Sequence, residues 1–202
     1  MAYQKYNVAL IPSEVVGIHA IEMSQMFEGN GGMFTLDSTH VYPHISLYHV
    51  PLDPEKVEGV IRVLQETLAG IQPMPLKQSE YRSARSGFVN VGYEKSESLL
   101  NLHQAVLQSL KPFWSREIEE KEKNKEWSPE QQTNASEYGW HAVDTLFDPH
   151  LTFSRLAEPN PEKVTDMKPQ NFSFVSDLVG LFELGEHGTC TRCLAIFELQ
   201  KK

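Results

Sequence analysis

Apolar residues recur with two periods along the chain, and each period predicts a different kind of element. A spacing near 3.6 residues predicts amphipathic helices that open at residues 12–13 and that cover residues 55–69 and 96–111. Shorter runs that alternate or are continuously apolar predict strands. These strands are expected at residues 6–11, 41–50, 76–81, 87–93, 172–184 and 190–199, with another directly after residue 149 and a short helix near residues 162–167.

Two of the predicted strands carry the same polar pattern, in the pentapeptides PHISL and PHLTF about a hundred residues apart. Successive side chains of a strand point to opposite faces, so His44 and Ser46 should share one face. His150 and Thr152 should share a face in the second copy for the same reason. Two histidine-hydroxyl pairs of this kind can act together on one phosphate.

The repeat extends beyond these pentapeptides into a second matched tract. DPEKV at residues 53–57 follows the first copy, and NPEKV at residues 160–164 follows the second. Asp53 and Asn160 are suitable helix N-caps, and proline suits the first helical position. The repeated unit is therefore strand, loop and helix, which predicts a duplicated lobe, since two copies are too few for a solenoid.

Further candidate contacts lie close to the motifs. Strand parity places Tyr48 and Ser154 on the same faces as the motif histidines, which makes them candidate substrate contacts. Arg82, Arg85 and Arg155 are possible contacts to a phosphate or a base, although a solvated surface position is the favoured interpretation for each arginine.

Composition limits the possible partners. The 202 residues include 18 Lys and Arg against 27 Asp and Glu, a formal net charge of −9. Proteins that hold long nucleic acids usually carry a basic face, so a small phosphate ester is the more compatible ligand. No apolar run approaches the ~20 residues of a membrane span, and residues 1–6 do not resemble a secretory signal. We therefore expect no membrane contact and a cytoplasmic location.

A charged connector separates the two copies at about residues 115–140. It is rich in Glu and Lys and poor in apolar residues, which predicts a solvated helix and loop without a core of its own. An alternative is a lid over the site, which the nearby Trp127, Tyr138 and Trp140 favour.

Cys190 and Cys193 form a C-x-x-C sequence, with His187 three residues upstream. A redox pair usually opens a helix, whereas a strand here would place the two thiols on opposite faces. Two cysteines also cannot complete a structural zinc site, so incidental thiols are the favoured interpretation. His40, His44 and His49 could suggest another metal cluster, but strand parity separates His49 from His44, and no metal is expected.

The two histidine motifs, their spacing and the order of elements resemble the 2H phosphoesterase superfamily, also called the LigT-like family. The resemblance covers nearly the whole chain. It implies a single α+β domain over residues 1–202, bilobal and duplicated, with antiparallel sheets flanked by helices around a central cleft. Within that fold His44 and His150 would be the catalytic pair, and Ser46 and Thr152 would hold the phosphate.

The chemistry of these residue types fits hydrolysis of a cyclic phosphodiester. The reaction needs a base for the attacking water and an acid for the leaving alkoxide, and histidine can serve as either near neutral pH. Hydroxyl groups can donate to the non-bridging oxygens of the phosphate. No metal or other cofactor is required, and the sequence does not distinguish which histidine is the base.

The expected function is a metal-independent phosphoesterase acting on a nucleoside 2′,3′-cyclic phosphate or on the terminal cyclic phosphate of a short RNA. RNA 2′,5′-ligase-like activity is an alternative, although it would favour a more basic rim. A catalytically silent nucleotide-binding module and a cysteine and histidine metal protein are further alternatives. The expected partner is thus a small nucleotide or an RNA end, and the oligomeric state is not predicted.

Overall fold

The computed structural model describes residues 3–83, 86–115, 126–158 and 170–200. Within these ranges a seven-stranded sheet and a two-stranded sheet are flanked by four helices. The strands are β1 (Gln4–Ile11), β2 (Ile45–Leu52), β3 (Met74–Leu76), β4 (Gln78–Ser83), β5 (Phe88–Tyr93), β6 (His150–Arg155), β7 (Phe174–Ser176), β8 (Leu178–Leu184) and β9 (Cys190–Glu198). The helices are α1 (Glu14–Gln25), α2 (Val57–Leu68), α3 (Glu97–Leu110) and α4 (Pro129–Tyr138).

The large sheet has the order β4-β5-β6-β2-β1-β8-β9, and its strand pairs are antiparallel. The two motif strands β2 and β6 are therefore neighbours near the middle of the sheet. They are joined at Ile45, which pairs with Leu151. Side chains alternate along each strand, so the residues before and after Ile45 and Leu151 point to the face opposite the one that Ile45 and Leu151 occupy. The sheet thus brings both histidine-hydroxyl pairs to one face.

The predicted amphipathic helices α2 and α3 pack on each other and on the sheet. Each begins where the sequence provides a cap. Ser96 accepts a hydrogen bond from the Leu99 amide at the start of α3, and Asp53 accepts one from Glu55 in the short 3-10 turn that precedes α2. The side chains of α3 that are buried are Leu99, Leu102, His103, Val106, Leu107 and Leu110.

The predicted strand over residues 172–184 is wrong as a single element. It divides at Asp177 into β7, which pairs with β3, and β8, which joins the large sheet. Continuous apolar character cannot reveal a change of sheet partner, because both pieces are apolar. The helix predicted near residues 162–167 lies outside the described residues, and no described helix is both long and apolar enough to span a membrane.

The described part of the connector packs several of its side chains into the protein interior. Helix α4 begins with a capping box between Ser128 and Gln131. One side of the helix then packs inward, and its buried residues are Asn134, Ala135 and Tyr138. The Asn134 amide donates to the Val143 carbonyl at 2.7 Å, which fixes the loop that leads toward the second motif. The predicted solvated connector is therefore wrong for this segment.

Candidate active site

A β-bulge interrupts β2 directly after Ser46. Consecutive residues of β1 pair with Ser46 and Tyr48, so Leu47 is an extra residue without a partner of its own. A bulge of this kind reverses the side-chain alternation beyond it. His49 consequently lies on the same face as Ser46, while Tyr48 turns into the core.

The second motif strand carries the same irregularity at the same place. Consecutive residues of β5 pair with Thr152 and Ser154, which leaves Phe153 as the extra residue in β6. Arg155 therefore joins Thr152 on the cleft face. The duplication thus includes the bulge, and His49 and Arg155 occupy corresponding positions in the two copies.

The bulges turn the hydroxyl groups of Tyr48 and Ser154 away from the cleft that strand parity predicted for them, although Tyr48 still contributes to the cavity lining. The Tyr48 hydroxyl is buried and donates to the Tyr138 carbonyl. The Ser154 hydroxyl is buried as well and donates to the Phe34 carbonyl at 2.8 Å. Simple alternation also assigned His49 to the wrong face, because it counts no extra residue between Ser46 and Tyr48.

The cleft face of β2 and β6 forms the floor of a cavity of about 1260 Å³. All four residues of the predicted pairs, His44, Ser46, His150 and Thr152, line this cavity. Other polar side chains that line it include Lys5, His49, His141, Asp148, Arg155, Glu186 and His187. The walls also include aromatic rings, among them Phe88 and Trp140.

His44 and His150 are oriented by the same backbone interaction. The Nδ1 atom of His44 lies 2.9 Å from the Tyr42 carbonyl oxygen, and Nδ1 of His150 lies 2.7 Å from the Asp148 carbonyl oxygen. A carbonyl can only accept, so Nδ1 carries a proton in both rings. Proton exchange with a ligand in the cleft is therefore left to Nε2 of each histidine.

The environment favours the neutral form of His44. Burial, together with a positive charge on His150, lowers the pKa of His44 to about 4, against the opposing effect of the Tyr42 and Gly188 carbonyls. At neutral pH the Nε2 atom of His44 is thus an available proton acceptor. The His150 hydrogen bond is exposed, so the two rings have similar geometry in different surroundings.

The three arginines noted in the sequence have different positions. Arg155 lies in the cleft, where Nε donates to the Ser86 carbonyl at 3.1 Å and Nη1 lies 3.1 Å from Nδ1 of His187. Arg82 instead donates to the Asp148 carboxylate at 2.7 Å, and so fixes the residue whose carbonyl orients His150. Arg85 lies outside the described residues.

Ser46 is held from two sides. The side-chain amide of Asn7 donates to its Oγ at 2.9 Å, and Nε2 of His49 lies 3.0 Å from the same oxygen. Strand alternation missed His49 because of the bulge. A polar residue at the fifth position after each motif histidine, His49 in one copy and Arg155 in the other, is the signal that could have identified this pair.

The two cysteines do not lie on opposite faces as predicted. Irregularities in the pairing of β8 and β9 bring Cys193 against the small cluster that contains the buried Cys190. Both thiols are free, and the Cys190 thiol accepts from Asn7 at 3.3 Å. Across the described ranges, no three side chains of the usual metal-binding types form a group suited to a metal ion. His40 is exposed and bonded to Thr39, away from the cleft.

His103 supports the bulge from the buried side. Its Nδ1 donates to the carbonyl of the bulge residue Leu47 at 2.9 Å, and its Nε2 accepts from the Asp144 amide at 2.9 Å. The ring also stacks on Phe147, with centroids 3.9 Å apart. One neutral side chain of α3 therefore ties the first motif strand to the loop before the second.

His103→Leu should lower the free energy of unfolding by about 2–4 kcal/mol, because it leaves the buried Leu47 carbonyl and the half-buried Asp144 amide without partners. Urea unfolding monitored by circular dichroism measures this loss. The same change at the exposed His40 is the matched control and should cost less than about 1 kcal/mol. Equal stability of the two variants would show that the His103 contacts do not stabilise the fold.

A sequence profile of the 2′-5′ RNA ligase superfamily matches residues 33–174, which include both motifs. The chain belongs to this family. The family corresponds to the 2H phosphoesterases, so the resemblance carried by the two histidine motifs is confirmed. A search of curated proteins finds no significant match.

Solved structures share the fold at low sequence identity. TT0787 of Thermus thermophilus superposes with a TM-score of 0.62 at 18% identity, over 96% of this chain and 97% of that protein. E. coli LigT complexed with NADP+ gives a TM-score of 0.58 at 15% identity over the full length of both chains. LigT complexed with 3′-AMP gives 0.56 at 14% identity, over 98% of this chain and 99% of that protein. The predicted α+β, LigT-like fold is confirmed.

Proposed function

We propose that this protein is a metal-independent phosphoesterase that hydrolyses a small cyclic phosphodiester, such as a nucleoside 2′,3′-cyclic phosphate or the cyclic phosphate at an RNA end. The observation that supports this proposal most directly is the presence of two equivalent histidine-hydroxyl pairs in one cleft. Each copy supplies an imidazole that is fixed through Nδ1 to a backbone carbonyl, together with a hydroxyl on the same strand face.

The proposed reaction uses the two histidines on opposite sides of the phosphorus. His44, which its surroundings keep neutral, accepts a proton at Nε2 from the water that attacks phosphorus. The bond from phosphorus to one ribose oxygen breaks, and His150 gives its Nε2 proton to that leaving oxygen. Ser46, Thr152 and Arg155 donate to the non-bridging oxygens as negative charge accumulates there. The product is a phosphomonoester.

Two observations support a nucleotide as the substrate class. E. coli LigT, which has the same fold, was crystallised in complexes with 3′-AMP, ATP and NADP+. The cleft also combines phosphate-binding groups with aromatic walls, including Trp140, against which a base can stack. The family's name favours RNA 2′,5′-ligase-like activity as the second candidate, since the reverse of such a ligation uses the same acid and base.

A panel of 2′,3′-cyclic, 3′,5′-cyclic and 2′,5′-linked substrates tests the proposal. Turnover of the 2′,3′-cyclic compounds supports it, and exclusive cleavage or joining of 2′,5′-linked RNA supports the second candidate. Tight binding of these nucleotides without any turnover would identify a silent binding module.

The rate should depend on pH as a bell. The free enzyme needs His44 neutral, so kcat/KM should rise as the pH increases through an acidic limb near pH 4. It should fall on the alkaline side, because the reaction requires a protonated general acid. The apparent pKa values belong to the coupled pair. Initial rates measured across the pH range check this profile, and a single sigmoid would contradict paired acid-base catalysis.

Chelators should leave the activity intact, because protein side chains supply every group that the proposed reaction uses. The measurement compares untreated enzyme with enzyme dialysed against EDTA and then freed of chelator. Loss of activity with recovery on addition of zinc or manganese would show instead that a metal ion generates the nucleophile.

A further inference from the structure

His49 is a cleft histidine that the proposed reaction does not use directly. Its Nε2 lies 3.0 Å from Ser46 Oγ, and its ring packs against Trp140 with centroids 4.8 Å apart. Its Nδ1 is buried and has no hydrogen-bond partner among the described residues. The contact between Nε2 and Ser46 therefore determines what His49 does in the site.

The hydrogen-bonding capacity of Ser46 explains why the direction of this contact matters. A serine hydroxyl has one proton and two acceptor sites. Asn7 already donates to one acceptor site at 2.9 Å. If His49 accepts, the only proton of Ser46 points to His49 and none remains for a ligand. If His49 donates, both acceptor sites are filled and the proton of Ser46 is free for the cleft.

Burial selects between these two arrangements. In the first, the proton of neutral His49 would be on Nδ1, leaving an unpaired buried N–H group. In the second it is on Nε2, and only an unpaired acceptor remains. Buried N–H groups without a partner are the rarer and more costly case. The preference for an unpaired acceptor over an unpaired N–H group also supports the orientation of the Asn7 side-chain amide, because its unpaired atom is the acceptor Oδ1.

The surroundings keep His49 uncharged, as either arrangement requires. Burial is the main cause that lowers its pKa, to about 3, and positive charges on His44, His150, Lys5 and His141 act in the same direction. A charged His49 would also compete with the proposed general acid for the negative phosphate. His49 is thus a fixed neutral donor across the neutral pH range.

We infer that His49 is a positioning residue: through Nε2–H it saturates Ser46 together with Asn7, so that the Ser46 hydroxyl can only donate to a phosphate oxygen. This inference rests on the proposed function for its catalytic consequence. In the second copy Arg155 holds the corresponding position and is itself a donor in the cleft. The two halves therefore present different donors on a duplicated scaffold.

Substitutions at His49 separate hydrogen bonding from packing. His49→Phe keeps a ring against Trp140 and removes the donor, and His49→Gln places an amide donor near the position of Nε2. We expect His49→Phe to lower kcat/KM about tenfold, and His49→Gln to stay within about threefold of the wild type. His49→Met serves as a second donor-free variant if the phenylalanine does not fold.

A double-mutant cycle tests whether the effect passes through Ser46. In a Ser46→Ala background, replacing His49 by Phe should cost no more than about twofold, because the hydroxyl to be oriented is gone. Wild-type kinetics in the donor-free variants would overturn the inference. The same tenfold loss in the Ser46→Ala background would overturn it as well, by showing that His49 acts independently of Ser46.

The tautomer and phosphate affinity can be measured without turnover. Two-bond 1H–15N spectra of histidine-labelled protein, assigned by comparison with His49→Gln, should show His49 protonated at Nε2 and unprotonated at Nδ1 from about pH 5 to 8. His49→Phe should also weaken binding of inorganic phosphate about tenfold, with recovery in His49→Gln. A proton on Nδ1, or unchanged phosphate binding, would overturn the inference. These results stand even if no cyclic phosphodiester is hydrolysed, which would reject only the proposed function.

Discussion

His44→Ala and His150→Ala should each reduce kcat on a 2′,3′-cyclic nucleotide by about 10²- to 10⁴-fold, the usual contribution of a positioned general acid or base. The variant lacking both histidines should be scarcely slower than either single variant. A base and an acid in one transition state act as a unit, so the loss of one leaves little concerted proton transfer for the other to assist. Steady-state kinetics of the three variants measure this non-additivity.

The exposed His40 provides the matched control, since it lies outside the cleft. His40→Ala should keep wild-type kinetics, and thermal melts should show that all variants are folded. Losses that multiply in the double variant would indicate that the two histidines act in separate steps, contrary to the proposed mechanism.

Ser46→Ala and Thr152→Ala should each lower turnover about ten- to a hundredfold. Each removes a donor to a charged phosphate oxygen, which is worth roughly 1.5–3 kcal/mol in the transition state. Thr152→Ser keeps the hydroxyl and should preserve most of the activity. Steady-state kinetics with the same cyclic nucleotide compare the variants.

Ser154→Ala offers a second control in the same strand. The Ser154 hydroxyl lies beyond the bulge and bonds to Phe34 in the interior. Its removal should reduce stability by about 1–3 kcal/mol, because the Phe34 carbonyl loses its partner, and it should leave kcat nearly unchanged. If Ser154→Ala slowed turnover as much as Thr152→Ala, the assignment of cleft and core faces would be wrong.

Local patterns in the sequence predicted the parts of the fold that depend on local physics. The apolar spacing of residues 96–111 is confirmed by α3, whose buried side chains follow the 3.6-residue period. Strand alternation also predicted correctly which motif side chains share the cleft face, because it holds as far as the hydroxyl residue of each motif. These side chains are His44, Ser46, His150 and Thr152.

Alternation failed two residues after the hydroxyl in each copy, at Tyr48 and Ser154. A bulge depends on pairing with the neighbouring strand, which a period along one strand does not contain. Tyr48 and Ser154 were consequently assigned to the cleft, and His49 was assigned away from it.

Contacts between distant segments could not be predicted from the sequence either. Asn7 reaches Ser46 from β1, and His103 reaches the bulge residue Leu47 from α3. Neither residue belongs to a motif. Their roles follow only from the order of strands in the sheet and from the helix that covers it.

We propose that two histidines in one cleft hydrolyse a cyclic phosphodiester without a metal. The most direct measurement is the rate at which chelator-treated protein opens a 2′,3′-cyclic nucleotide in 18O-labelled water, with the variant lacking His44 and His150 as the blank. We predict one labelled oxygen in a single phosphomonoester isomer from the wild type, and no reaction above background from the variant. Equal rates from both proteins, or no opening by the wild type, would contradict the account.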